Sequence, residues 1–248
     1  MQNKIRAAIM ILDIGIGLLL LLVWTGEKQG REARTSASGK VLKEQTEDAL
    51  TEKVPAGEVQ SEETERKVSI TFDDGPHPSY TVQLLDGLKE RNVHATFFVT
   101  GEHAQANPDI IRRMKEEGHL IGNHTYSHMQ LQKNNREKFK EELVATNEVI
   151  EQITGEEVEY VRPPYGSWDK SFEKELNMFP VLWTVDPMDW CCSSAPCIAR
   201  KVLEKTEEND IILLHDYYES SVTAALKIID NLLEQGYTFV TVDEILFD

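Results

Sequence analysis

Short runs of β-branched and other apolar residues alternate, from Lys67 onward, with longer stretches whose apolar positions recur every three or four residues. These are the periods of a buried strand and of an amphipathic helix. The pattern predicts strands over 68–72, 95–99, 120–123, 159–162, 181–185, 211–214 and 238–242. It predicts helices over 80–91, 108–117 with Asn107 as cap, 136–153 ending before Gly155, 169–176, 196–206, and 220–235 ending at Gly236. Seven strands alternating with helices define an α/β fold on a parallel sheet, either a barrel or a doubly wound sheet. No internal repeat interrupts the alternation.

Upstream the pattern changes twice. Residues 7–24 form an apolar run of 18 residues with one charge, Asp13, behind Lys4 and Arg6. That length is the lower limit for a helix that crosses a bilayer. A signal peptide shares this pattern as far as its cleavage site, but Trp24-Thr-Gly26 is a poor site and Ser36-Ala-Ser38 lies too far beyond the run. Residues 1–26 are therefore expected to be an uncleaved membrane anchor; cleavage would make the protein secreted. The flanking charges, Lys4 and Arg6 against Lys28, Arg31 and Arg34, do not set the orientation. Residues 27–66 are rich in Glu, Lys, Thr, Ser and Ala, bury too little to order themselves, and read as a polar tether. This leaves 67–248 as one catalytic-sized domain.

Charge narrows the partners of that domain. The chain has 26 basic and 43 acidic residues; the 9 basic and 11 acidic residues of 1–66 leave 17 and 32 in 67–248, a net of −15. A surface that negative disfavours nucleic acid and anionic lipid and suits neutral or cationic ligands. No feature of the residues specifies a protein partner.

The candidate chemistry lies at the ends of the strands. In a parallel barrel these ends share one face, so residues that follow different strands converge. Asp73 and Asp74 follow the first strand in Thr71-Phe-Asp-Asp-Gly-Pro76, and His124 and His128 follow the third in His124-Thr-Tyr-Ser-His128. Arg162 closes the fourth in Arg162-Pro-Pro-Tyr-Gly166, Asp186 and Asp189 follow the fifth in Asp186-Pro-Met-Asp-Trp190, and His215 ends the sixth in Leu213-Leu-His215. Each has a plain structural reading: an Asx turn, a rigid bend with a surface arginine, a turn beside a core aromatic, a satisfied polar residue. Their coincidence at five strand ends argues for a site. Two adjacent carboxylates repel each other, so a metal, an arginine or both must hold them. His-x-x-x-His with a carboxylate elsewhere is a recurrent metal arrangement.

These five motifs, in this order, resemble those of the polysaccharide deacetylases, carbohydrate esterase family 4, and the resemblance covers essentially all of 67–248. It implies a distorted, incomplete (β/α) barrel of about seven parallel strands, and metal-dependent removal of acetyl groups from N-acetylated sugars in polymers. Asp74, His124 and His128 match the ligands of one divalent ion, zinc as first choice with cobalt, nickel or manganese behind it. Asp73 matches the general base that deprotonates the attacking water, and Arg162 the arginine that pairs with it. The Tyr165 backbone N–H matches a donor to the tetrahedral oxyanion, a contact typically worth about 3 kcal/mol. His215 matches the acid that protonates the departing amine, with Asp189 keeping it charged and oriented. Trp190 and Leu213 resemble the apolar wall that receives the acetyl methyl group.

The resemblance also bears on substrate. Members with Asn at the second motif aspartate tend towards the muramic acid sugar of peptidoglycan; Asp74 is retained here, so N-acetylglucosamine residues are the expected target. Peptidoglycan is the first choice of polymer, ahead of chitin oligosaccharides and an exported poly-N-acetylglucosamine. A tethered enzyme of this kind resembles a bacterial cell-wall modifier, with its catalytic domain on the extracellular face of the membrane. Two other classes are weighed: a non-haem iron oxygenase, which leaves Asp73, Arg162 and the Asp189–His215 pair without work, and a silent fold that binds glycan without turnover. Cys191, Cys192 and Cys197 match no family motif; a disulfide from Cys197 to Cys191 or Cys192, which would pin their loop, soft-metal binding and plain free thiols are all open to them.

Overall fold

A computed structural model describes residues 66–247. The predicted anchor and tether of 1–65 lie outside the described residues. Among those described, no helix is long and apolar enough to cross a membrane.

The first strand, β1 (Arg66–Asp73), is the hub: from Val68 onward every residue is buried, the continuous burial of a strand covered on both faces. Next come α1 (Tyr80–Glu90), β2 (Thr96–Val99), α2 (Gly101–Ala106), α3 (Pro108–Glu116) and β3 (Leu120–Asn123). They are followed by α4 (Arg136–Thr154), β4 (Tyr160–Val161), α5 (Ser171–Leu176) and β5 (Phe179–Pro180). The chain closes with α6 (Ala195–Leu203), β6 (Ile211–His215), α7 (Glu219–Glu234), β7 (Tyr237–Phe239) and α8 (Val242–Leu246). All pairings are parallel, in the order β5-β4-β3-β2-β1-β6, and β7 pairs with the start of β1. The curled sheet fits the expected incomplete (β/α) barrel rather than a doubly wound sheet.

Closure depends on the segment after β5. Val181 still donates to Val161 of β4, but Thr184 and Val185 have crossed to Ile211, and Leu213 donates to Val185. One segment therefore spans the two free edges, and it breaks at Leu182-Trp183 where it changes partner. This corrects the strand expected over 181–185: an apolar run encodes burial, not which neighbour supplies the hydrogen bonds.

Alternation along the strands separates two cores. Phe97 of β2 joins Ile70, Phe72 and the buried faces of α1 and α7, whereas Phe98 points into the barrel with Tyr160, Val181, Ile211 and Val242. Gly122 makes room for that interior ring, since a Cβ there would lie 2.5 Å from Phe98 Cδ1. The guanidinium of Arg162 lies over the same ring, 4.2 Å from its centre, and occupies the level between apolar plug and strand ends.

Some boundaries differ from expectation. Asn107 sits at the cap position of α3 but makes no cap bond; its amide donates instead to His103 O at 3.0 Å and Pro76 O at 3.4 Å. The helix expected from 169 begins at Ser171, because the Asp169 carboxylate accepts from Ser171 N at 2.9 Å and fixes an Asx turn there. The strand expected over 238–242 stops at Phe239. A capping box between Thr241 and Glu244 starts α8 in its place.

Candidate active site

Register places the chemistry on one face. Asp73 stands level with His215 across the β1–β6 pair and with Phe98 across β1–β2, while Asn123, one residue before His124, stands level with Val161, one before Arg162. Every predicted site residue therefore leaves the carboxyl end of the sheet, as in parallel barrels generally. A cavity of about 410 Å³ opens there, lined among others by Asp73, Asp74, His124, His128, Tyr165 and His215.

The backbone is bent sharply around this cavity. Asp74 (φ 74°), Thr125 (φ 62°), His128 (φ 57°), Tyr165 (φ 58°) and Met188 (φ 57°) all adopt the left-handed region. Among the described residues outside this cluster, the left-handed non-glycine residues are all asparagines, Asn92, Asn177 and Asn209, which tolerate it. Strain of this kind persists where the surroundings over-determine it, and each instance costs on the order of 1–3 kcal/mol.

Asp74, His124 and His128 converge. Asp74 Oδ1 lies 3.4 Å from His124 Nε2 and 3.5 Å from His128 Nε2, and one donor atom from each of the three lies within 4.8 Å of the others. Zinc–ligand bonds of about 2.1 Å at the tetrahedral angle put donor atoms roughly 3.4 Å apart, so these residues fit a divalent ion. Asp74 Oδ1 is buried and has no hydrogen-bond partner among the described residues, an orphan that a cation would satisfy. His124 donates from Nδ1 to Arg162 O at 2.6 Å, which leaves the Nε2 lone pair on the Asp74 side. Burial raises the Asp74 pKa, but the imidazoles around it, His124 foremost, outweigh that and bring the group to about 2. Burial, aided by His124, pushes His128 down, so this imidazole is held in its neutral, ligating form.

Asp73 is held from the other side. It is buried, and its Oδ1 accepts from Arg162 Nη1 at 2.9 Å, while Oδ2 lies 3.8 Å from His124 Nε2. Arg162 is fully buried and uses four of its five N–H donors: Nη1 also reaches Thr71 Oγ1 at 2.6 Å, Nε reaches Val181 O at 3.1 Å, and Nη2 reaches Leu182 O at 3.2 Å. The last two carbonyls belong to the break in the closing segment. One side chain thus pairs with the candidate base and seals the barrel.

His215 forms a pair with Asp189. Its Nδ1–H donates to Asp189 Oδ1 at 2.8 Å, and its backbone N–H donates to Asp189 Oδ2 at 2.9 Å. Both oxygens of this buried carboxylate are therefore used on one residue, and ring and strand end are fixed together. Burial lowers the His215 pKa, but Asp189 outweighs it and the group rises to about 9. The imidazolium therefore persists through neutral pH, and the stability it contributes is full below about pH 6.5 and lost as pH rises through about 9. NMR titration of the metal-free protein should show His215 near the upper value and Asp189→Asn near the lower; a His215 titrating at the lower value with Asp189 intact would contradict this.

Tyr165, Trp190 and Leu213 line the cavity as expected, Tyr165 67% exposed and Leu213 5% exposed. Asp186 lines it too, but sits apart from the metal donors and accepts from Met188 N at 2.7 Å. Trp183 and Tyr218 also line it and were not foreseen. Trp183 lay inside a run read as strand, whereas the Tyr217-Tyr218 pair just past His215 was a legible signal. Beneath the floor, Asp216 is fully buried, accepts from Thr81 Oγ1, and is raised to about 7 by burial. A Cβ at Gly75 would meet both its oxygens at 2.3 Å, so glycine is required there. Of the readings open to the cysteines, the disulfide is not formed: Cys191, Cys192 and Cys197 are free thiols, and Cys191 Sγ donates to Met188 O at 3.1 Å.

The polysaccharide deacetylase family model matches residues 60–181. Over 190 residues the chain is 38% identical to a peptidoglycan-N-acetylglucosamine deacetylase of Bacillus cereus, a match that takes in 73% of this chain and 89% of that one. Over 218 residues it is 38% identical to the peptidoglycan-N-acetylmuramic acid deacetylase PdaC of Bacillus subtilis, covering 83% of this chain and 47% of PdaC. The solved structure of PdaC superposes with a TM-score of 0.71 at 38% identity, over 73% of this chain and 90% of that one. The chain belongs to the polysaccharide deacetylase family, as its motifs led one to expect. It spans just under half the length of PdaC, and the two relatives differ in the sugar that their names carry.

Proposed function

We propose that this protein is a metal-dependent deacetylase of peptidoglycan, acting on the N-acetyl group of its glucosamine residues. The observation that carries the reading is the presence of two held acid–base groups and one donor cluster on a single cavity. Arg162 fixes Asp73, Asp189 fixes His215, and Asp74, His124 and His128 converge beside them. A divalent ion on those three donors, zinc by its preference for mixed carboxylate and imidazole ligands, would supply a Lewis acid for the acetyl carbonyl and for water.

The chain's own residues do the rest. Asp73 takes the proton of the water that attacks the amide carbon, and its partner Arg162 holds it in place. The Tyr165 backbone N–H donates to the oxyanion. His215, already protonated at neutral pH, gives its proton to the nitrogen, because an amine leaves poorly until it is protonated. A proton from solvent then restores the imidazolium, which the Asp189 carboxylate stabilises and orients. Trp190 and Leu213 receive the acetyl methyl group and exclude water from that side. The oxygenase alternative gives no work to the Asp73–Arg162 and His215–Asp189 pairs. The reading extends to the N-terminal residues: 1–26 anchor the protein in the membrane, 27–66 tether it, and the domain acts outside the cell.

The choice of glucosamine rests on retention of Asp74 and on the name of the B. cereus relative; the PdaC name points to the other sugar. Mass spectrometry of muropeptides from enzyme-treated peptidoglycan decides between them. Acetyl loss on the glucosamine half supports the proposal, and loss confined to the muramic half would overturn it.

A further inference from the structure

A second groove of about 580 Å³ lies on the loops that carry His128 and Tyr165, lined among others by Lys133, Arg136, Ser167, Trp168, Asp169 and Lys170. Lys133 follows His128 by five residues and Ser167 follows Tyr165 by two, so the groove begins at most about 17 Å along the chain from the candidate site. The rings of His128 and Tyr165 themselves touch, with centres 5.1 Å apart. On a domain of net charge −15, this lining is an exception in sign.

The charges divide into committed and uncommitted. Arg136 is bound to Glu137 at 3.1 Å, to Asp169 at 3.4 Å and to Glu175, and lies over the ring of Phe172. Asp169 is occupied in turn by Arg136 and by Ser171. Lys133 and Lys170 are exposed and form no ion pair or hydrogen bond among the described residues. Two free ammonium groups thus flank a groove whose one lining carboxylate among the described residues, Asp169, is already engaged by Arg136 and Ser171, with the indole of Trp168 as its apolar wall. Such a surface suits a carboxylate carried on an apolar or sugar framework.

We infer that this groove binds carboxylate groups of the glycan, so that the protein distinguishes peptidoglycan from a neutral N-acetylglucosamine polymer. The inference rests on the proposed deacetylase reading and deepens it: the polymer enters the catalytic cavity, and anionic substituents on a neighbouring unit meet Lys133 and Lys170. Two sources share this chemistry, the peptides attached to the glycan and the lactyl group of those muramic acid residues that carry no peptide.

The test is co-sedimentation of the full chain and its Lys133→Glu/Lys170→Glu variant with peptidoglycan, with peptidoglycan freed of its peptides by an amidase, and with chitin. Acetate release from each is measured alongside. Both lysines are exposed and unpaired, so the variant should fold normally. Its binding to intact peptidoglycan should weaken about fivefold, the effect of losing two exposed charge contacts, with chitin unchanged. The amidase removes the peptide carboxylates and frees a lactyl carboxylate in their place, so a loss that disappears on peptide-free strands assigns the peptides, and one that persists there shows that the groove also takes the lactyl carboxylate. Equal binding of the two proteins to peptidoglycan, or an equal loss on chitin, would overturn the inference. Selective binding by a wild-type chain that releases no acetate would instead overturn the deacetylase reading and leave the groove standing.

Discussion

Asp73→Asn should leave a folded protein that still binds metal and deacetylates about 10²- to 10⁴-fold more slowly, the usual contribution of a positioned general base. The amide oxygen can still accept from Arg162 Nη1, so the 2.9 Å contact and the barrel seal survive. The three donors are untouched, because Asp73 lies 3.8 Å from His124 Nε2 and outside their cluster. What disappears is the ability to take a proton. The split between retained metal affinity, measured by calorimetry, and lost turnover is the signature to look for. A variant that keeps more than a tenth of the activity would remove Asp73 from the role of base.

Arg162→Met should be the most destabilising single change in the site, by about 3–5 kcal/mol, the cost of breaking a buried pair by removing one partner. The Asp73 carboxylate would be left buried without a counter-charge, and the Val181 and Leu182 carbonyls would lose the donor that satisfies them at the break. On a stability of about 5–15 kcal/mol the change is large, and the melting temperature should fall by roughly 10 °C. Arg162→Lys keeps the charge but not the planar fork, so it should recover only part of the loss. Urea denaturation of the three proteins checks this. Equal midpoints for wild type and Arg162→Met would show that the closing segment does not depend on the guanidinium.

Most of the site was legible because its residues sit at points that sequence pattern marks well. β1, β3 and β6 are apolar runs with abrupt ends, and each chemical residue stands at or just past an end, so register brought them together without further information. What escaped were features decided by tertiary partners. The segment after Pro180 is apolar whether it pairs with β4, with β6, or with each in turn. Arg162 could be matched to a base from its motif, but its second role, closing the barrel, needs the position of two carbonyls far along the chain. α2 (Gly101–Ala106) has no apolar period long enough to announce itself. α8 did carry a signal: Thr241 and Glu244 form a capping box that the β-branched run before it obscured. The cysteine loop stayed undecided in the sequence, since proximity along the chain gives no disulfide geometry.

The central claim is that this chain removes acetyl groups from peptidoglycan with a divalent ion held by Asp74, His124 and His128. Its most direct test is acetate release from purified peptidoglycan by the full chain, first stripped of metal by a chelator and then given zinc, cobalt, nickel or manganese. The account predicts no release after stripping, recovery with at least zinc, and none with any metal when His124 is replaced by alanine. Release that survives complete stripping, or a folded, metal-loaded chain that releases no acetate, would contradict it.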